Sequence, residues 1–173
     1  MKTRQLLTSA IALGTLAAST PIFAASSPAV ALSVTASVTA KCIVSSTAAV
    51  AFSAYDPIVT NASTGTDLTG NGTVGVKCTP GNGSSIAIAS SANNSGNQRR
   101  MAGPGGAFLN YTLYSDSGFT TAWGDGSNGA SALTITGATN ASERTFTVYG
   151  VVPKGQDINV GSYSDSVNVT VNF

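Results

Sequence analysis

The sequence predicts an all-β sandwich, and three observations carry that reading. Residues 30–42 read VALSVTASVTAKC, with Val30, Leu32, Val34, Ala36, Val38, Ala40 and Cys42 on one side and Ala31, Ser33, Thr35, Ser37, Thr39 and Lys41 on the other. A period of two is the mark of an extended strand with one apolar face. Composition agrees: charged residues are 9% of the chain, so the helix formers Glu, Lys, Gln and Arg are scarce, while Val and Thr recur in alternating runs. Turn residues separate seven or eight such short runs, the layout of a sandwich.

The leading run of 13 residues is about twice the common strand length of roughly 5–6. The chain also closes on an alternating run, residues 167–173, with Val167, Val169, Val171 and Phe173 on one side. A surplus strand in front and an uncovered strand at the end predict a domain completed by a copy of itself. The plainer alternative is one long edge strand in a self-sufficient sandwich.

Residues 1–24 read as a secretory signal: Lys2 and Arg4 give the positive start, residues 6–18 are apolar, and Ala24 offers a small residue at the cut. The apolar run is short of the roughly 20 residues needed to span a bilayer. Removing Lys2 and Arg4 from eight basic residues leaves six against seven acidic, a mature net charge of about −1. With no basic patch, nucleic acid is not an expected partner. So few surface charges suit a protein packed against other subunits better than a free monomer.

Along the mature chain, residues 42–44 are expected to finish the first strand, and 49–52 form a short apolar piece. Tyr55-Asp56-Pro57 marks a turn, and 61–72 reads as a polar loop. Residues 73–78 alternate with Val74, Val76 and Cys78 inward; 85–89 alternate again. Arg99-Arg100-Met101 leads into the turn at Gly103-Pro104-Gly105-Gly106. The clearest middle strand is 108–114, with Leu109, Tyr111 and Leu113 on one face. Trp123 falls in a Gly-rich loop, 133–135 is a short strand, 145–152 alternates, and 163–173 is the closing strand. Cys42 and Cys78 are the two cysteines of an exported chain, where pairing is the default. Their bridge is expected to pin two strands through the core and to remove about 4 kcal/mol of unfolded-state freedom in the chain-entropy model.

Little points to catalysis. The chain has no His, Glu143 is its one Glu, and Asp56, Asp67, Asp116, Asp125, Asp157 and Asp165 fall largely in turns, where Asp serves local hydrogen bonds. No catalytic residue, cofactor or metal site is expected; no His exists to complete a ligand set with the two cysteines, and Asp125-Gly126 is too sparse for a calcium loop. Arg99-Arg100 reads as a solvated or carboxylate-paired strand end, with an anion site as the alternative. Trp123 reads as a packing anchor, with sugar stacking as the alternative.

Several fragments, in order, carry a resemblance: Tyr55-Asp56-Pro57, the Cys42/Cys78 pair, Arg99-Arg100-Met101, Leu109-Tyr111-Leu113-Tyr114, Trp123-Gly124-Asp125-Gly126, Val148-Tyr149-Gly150, Pro153-Lys154-Gly155-Gln156 and Gly161-Ser162-Tyr163-Ser164-Asp165. Together they resemble the spore coat protein U domain family, which includes Csu-type pilins of the archaic chaperone–usher pathway. Two places depart from the pattern: Phe52-Ser53-Ala54-Tyr55 lacks a Gly before the Tyr, and the chain ends in Phe173 rather than Tyr.

The resemblance implies an incomplete immunoglobulin-like sandwich that lacks its last strand and is completed by donor-strand exchange, the strand-addition mode known for chaperone–pilin pairs. On that basis residues 25–38 are the donor segment, with Val30, Leu32, Val34, Ala36 and Val38 as its inserted side chains. Residues 39–173 form the pilin domain, and Val167, Val169, Val171 and Phe173 lie on the strand beside the acceptor groove. The implied partners are copies of itself in a homopolymer, a periplasmic chaperone and an outer-membrane usher. The implied location is the cell surface, reached through the periplasm, and the implied role is attachment and biofilm formation. A secreted spore-coat or matrix protein of the same fold is the alternative.

Overall fold

Alternating Val, Thr and Ile runs pair here into two antiparallel sheets. The computed structural model describes residues 25–127 and 129–173; the secretory signal read at 1–24 lies outside them. Among the described residues the strands are β1 (Cys42–Ala51), β2 (Leu68–Cys78), β3 (Ser84–Ile88), β4 (Arg99–Ala102), β5 (Phe108–Tyr114), β6 (Leu133–Ile135), β7 (Arg144–Val152) and β8 (Val169–Asn172). One sheet has the order β1-β2-β7-β5-β4 and the other β6-β3-β8. The large compact unit, Ser37–Phe173, holds all of these strands.

Between the sheets lies a core of aliphatic side chains from alternate strand positions: Val74 and Val76 of β2, Ile86 and Ile88 of β3, Leu109 and Leu113 of β5, and Val148 and Val152 of β7. The face expected for the middle strand is the buried one, since Leu109, Tyr111 and Leu113 are buried while Phe108 is exposed. Trp123 anchors its loop in this core: the side chain is 1% exposed, and its indole N–H donates to the Ile86 carbonyl at 2.7 Å. The next residue's carbonyl accepts from Ile88 N at 3.0 Å, so the Trp loop acts as a backbone partner for β3.

Arg99 corrects the expectation of a solvated strand end. It is only 3% exposed, and its guanidinium donates to the carbonyls of Ile88 at 2.6 Å and Ala89 at 2.7 Å. A buried cation is tolerated because it is multiply hydrogen-bonded; here it ties β4 of one sheet to the end of β3 in the other. Its neighbour Arg100 turns the other way, over the Phe108 ring at 4.1 Å, and donates to the Asn93 carbonyl.

Five strand expectations also change, the first being that residues 42–44 open a strand that runs on to Ala51 instead of finishing one. Residues 30–41 carry no strand: 25–41 have no regular structure and are exposed throughout, and β1 starts only at Cys42. A strand persists only with a ladder partner, and residues 25–38 pair with none among the described residues. The loop expected at 61–72 ends early, because Leu68 to Gly72 pair with Val152 to Val148 of β7. Arg99–Ala102 is a strand in its own right, paired to β5. The closing strand is only Val169–Asn172; residues 163–168 run as a strap with a single bridge, Ala102 to Ser164.

Cys42 and Cys78 are bonded, and they sit directly opposite each other on β1 and β2. The bridge therefore links neighbouring strands within one sheet rather than crossing the core. It still closes a long loop, of sequence separation 36. Replacing both cysteines by Ser is expected to lower the unfolding free energy of the monomer by about 2–4 kcal/mol, read by urea unfolding as a lower midpoint with a slope equal to or steeper than that of the bridged chain.

Candidate functional site

Both sheets end at an edge on the same side of the sandwich. Among the described residues β1 has β2 on one flank and no strand on the other, and β8 has β3 on one flank and no strand on the other. Between these edges opens a groove of about 1050 Å³. Its floor is the apolar core itself, including Leu68, Val74, Leu109, Val148 and Val152. Residues 47–50 and Phe52 of the β1 side form one wall, and residues 158–167 with Val169 form the other. An apolar cleft flanked by unpaired strand edges is a template for an added strand.

The β1 wall is shaped by a bulge. The pairing register with β2 shifts between Ala48 and Ala51, leaving Ala49 and Val50 out of step. This close approach requires Gly72 on β2, where an added Cβ would meet the Ala48 carbonyl oxygen at 2.5 Å. Gly150 on β7 does the same for the side chains beneath: its Cβ would lie 2.6 Å from Phe52 and 2.7 Å from Val50. Glycine at these two positions lets Val50 and Phe52 settle onto the groove floor.

The far wall is a strap with few ladder bonds, held instead by side chains. The Tyr111 hydroxyl donates to Asp165 Oδ2 at 2.6 Å, and Asn93 Nδ2 donates to Asp165 Oδ1 at 2.8 Å. Burial pushes the Tyr111 phenol well above its ordinary range, and the hydrogen bond to the Asp165 carboxylate adds to the shift. Gln156 substitutes for a strand on β5: its Oε1 accepts from Asn110 N at 2.8 Å, and its Nε2 donates to Asn110 O at 3.1 Å. Gln156 N in turn donates to the Tyr55 hydroxyl at 2.9 Å, and that hydroxyl donates to the Pro153 carbonyl at 3.0 Å. Asp56 beside it accepts from the backbone N–H groups of Ile58, Val59 and Thr60, which hold its carboxyl below the usual carboxylate range.

These contacts locate the residues singled out in the sequence. Tyr55-Asp56-Pro57 meets Pro153-Lys154-Gly155-Gln156 at the groove wall, and the middle strand meets Asp165 of the strap. Val167 and Val169 line the groove. Val171 lies further along β8, opposite Ile86, and Phe173 is 59% exposed beyond the strand end. Val30, Leu32, Val34 and Val38 are 85–90% exposed. The sequence does not mark residues 47–52 or 158–166 as groove walls. Val50 and Phe52 fall in the apolar piece read at 49–52, with nothing in sequence to mark it as a groove wall, while Ile158 and Val160 are too isolated to count as a run.

Such an antiparallel sandwich, open between its first and last strands, defines the class: an immunoglobulin-like fold left incomplete along one edge. The model of the Spore Coat Protein U domain matches residues 29–170, and the chain belongs to that family. Protein U of Myxococcus xanthus is similar, 33% identical over 137 residues, with 70% of each chain covered. Among solved structures, the CsuC–CsuE chaperone–tip adhesion subunit pre-assembly complex from the archaic chaperone–usher Csu pili of Acinetobacter baumannii matches with a TM-score of 0.54 at 22% identity. That match covers 79% of this chain and 40% of the other, and it shows the fold.

The Tyr111 phenol gives the strap a pH dependence whose sign is fixed. Its value is raised on folding, so the unfolded chain loses this proton first, near an ordinary phenol's value of about 10, and stability falls as pH rises above that. Tyr111→Phe is expected to make the loss of stability above about pH 10 shallower, measured as urea midpoints from pH 8 to 11.

Proposed function

We propose that this chain is a structural subunit of a surface fibre, polymerised by donor-strand complementation. In this reading residues 25–38 of one copy add a strand in the groove of the next. The observation that carries it is one chain holding both an open apolar groove between two unpaired sheet edges and an exposed segment whose alternate residues are apolar. The backbone of the incoming segment would pair with β1 and β8, and Val30, Leu32, Val34, Ala36 and Val38 would enter the groove. Each of the larger side chains would contribute about 1.5–3 kcal/mol on burial, which makes for a joint slow to part.

An open edge over an exposed core is an aggregation liability before assembly. The partners this implies are a periplasmic chaperone that covers the groove and an outer-membrane usher that passes subunits outward. The similarly folded Csu subunit, found in a complex with its chaperone, supports this order of events. The product would be a homopolymer at the cell surface, serving attachment and biofilm formation, with no catalytic role. A second reading, a secreted coat or matrix protein, is supported by the family's description and by the 33% identity to Protein U.

The mature chain with and without residues 25–38 separates the two. On an unboiled denaturing gel the full chain is expected to give a ladder of multimers and the truncated chain none. Monomers in both cases, with equal thermal stability, would favour the self-contained coat or matrix protein.

A further inference from the structure

A chain that carries both a donor segment and a groove can fill its own groove, and this inference rests on the donor-strand reading above. The covalent path allows self-filling. β1 starts at Cys42 and its free edge borders the groove, so a two-residue turn at Thr39-Ala40 would lay Val38 opposite Lys41 and Leu32 opposite Thr47, a groove residue.

Two independent features oppose that turn. The first is chemical: residues 36–41, ASVTAK, include no Gly, Asn, Asp or Pro. Two-residue hairpin turns need positive φ at one or both central positions, which Thr and Ala supply poorly. The second is geometric. Beyond the Cys42–Cys78 pair, Thr79 N donates to the Lys41 carbonyl at 2.8 Å, and Lys41 N donates to Thr79 Oγ1 at 3.1 Å. The Thr79 hydroxyl lies 3.2 Å from the Lys41 carbonyl oxygen and 3.4 Å from that of Thr39, one of which takes its proton. The N–H and C=O of Lys41 are the groups that would have to close a turn at Thr39-Ala40 onto Val38, and Thr79 engages both of them on the β2 side.

We propose that residues 37–41, gripped by Thr79 and lacking any turn-forming residue, are built to stop the chain from complementing itself, so that its groove stays open to a second copy. Thr79 is a positioning residue in this scheme. It sets where the chain preceding β1 can go and does not enter the groove.

The test uses the full mature chain and three variants: Thr39→Asn with Ala40→Gly, which supplies a hairpin turn; Thr79→Val, which removes the hydroxyl; and Thr79→Ser, which keeps it. Three quantities are read: the monomer-to-ladder ratio on an unboiled gel, uptake of a labelled synthetic peptide of residues 25–38, and the melting temperature of the monomer. The turn variant is expected to accumulate a monomer that melts higher than wild type and refuses the peptide. Thr79→Val should move the ratio the same way by about fivefold, the scale of one net hydrogen bond, and Thr79→Ser should behave as wild type. If the wild type forms ladders and takes up peptide while the turn variant and Thr79→Val do so equally, donor-strand assembly stands and the junction has no such role. A Thr79→Val monomer that melts lower and still takes up peptide has only lost stability, and also overturns the proposal. If the wild type neither forms ladders nor takes up peptide, the donor-strand reading fails and this proposal falls with it.

Discussion

Two strand edges, β1 and β8, border an apolar floor with no strand between them among the described residues, and the rest of the structure answers to that gap. In a complete sandwich a further strand pairs with the sheet edge at this place and its inward side chains cover the core. Here one position is vacant. Its walls must hold their shape without the ladder bonds that normally supply it, so side chains do that work. Tyr111, Asn93 and Asp165 tie down the strap. Gln156 pairs with the backbone of Asn110, and Tyr55 joins the β1 wall to the turn after β7.

The sheets on either side of the gap are also cross-linked more firmly than apolar packing alone would require. The Arg99 guanidinium spans from β4 to the carbonyls ending β3, and the Trp123 indole bonds the carbonyl of Ile86 in the same strand. Among the described residues β3 is the one strand paired with β8. Fixing β3 therefore fixes one lip of the groove. The disulfide does the corresponding job for the other lip, joining the first residue of β1 to the last of β2. A pre-shaped groove limits the ordering cost that any incoming strand must overcome.

Strands whose own side chains alternate were legible from sequence. Phe108–Tyr114 and Leu133–Ile135 fall where expected, and Arg144–Val152 starts one residue early, because Val, Leu, Ile and Tyr at every second position leave one solution. The misplaced parts have other causes. Residues 68–72, rich in Gly and Asn, pair because the β1 bulge and β7 approach from both sides, which no local pattern encodes. Residues 163–168 look like strand yet are held by Asp165, a contact 54 residues from Tyr111 in sequence. Arg99 was misread because a buried guanidinium reads like a surface one until its acceptors, 11 residues away and nearer, are known. Residues 30–41 show the same principle in reverse: a perfect alternation becomes a strand only once it is paired to an edge, and here it is paired to none among the described residues.

The most direct test is residue-resolved amide hydrogen exchange on the assembled full-length mature chain and on its monomer. The account predicts that amides along β1 at residues 47–50 and along β8 become protected on assembly, together with those of residues 30–38. Assembly without new protection at those two edges would contradict it, because the copies would then be joined somewhere other than the groove.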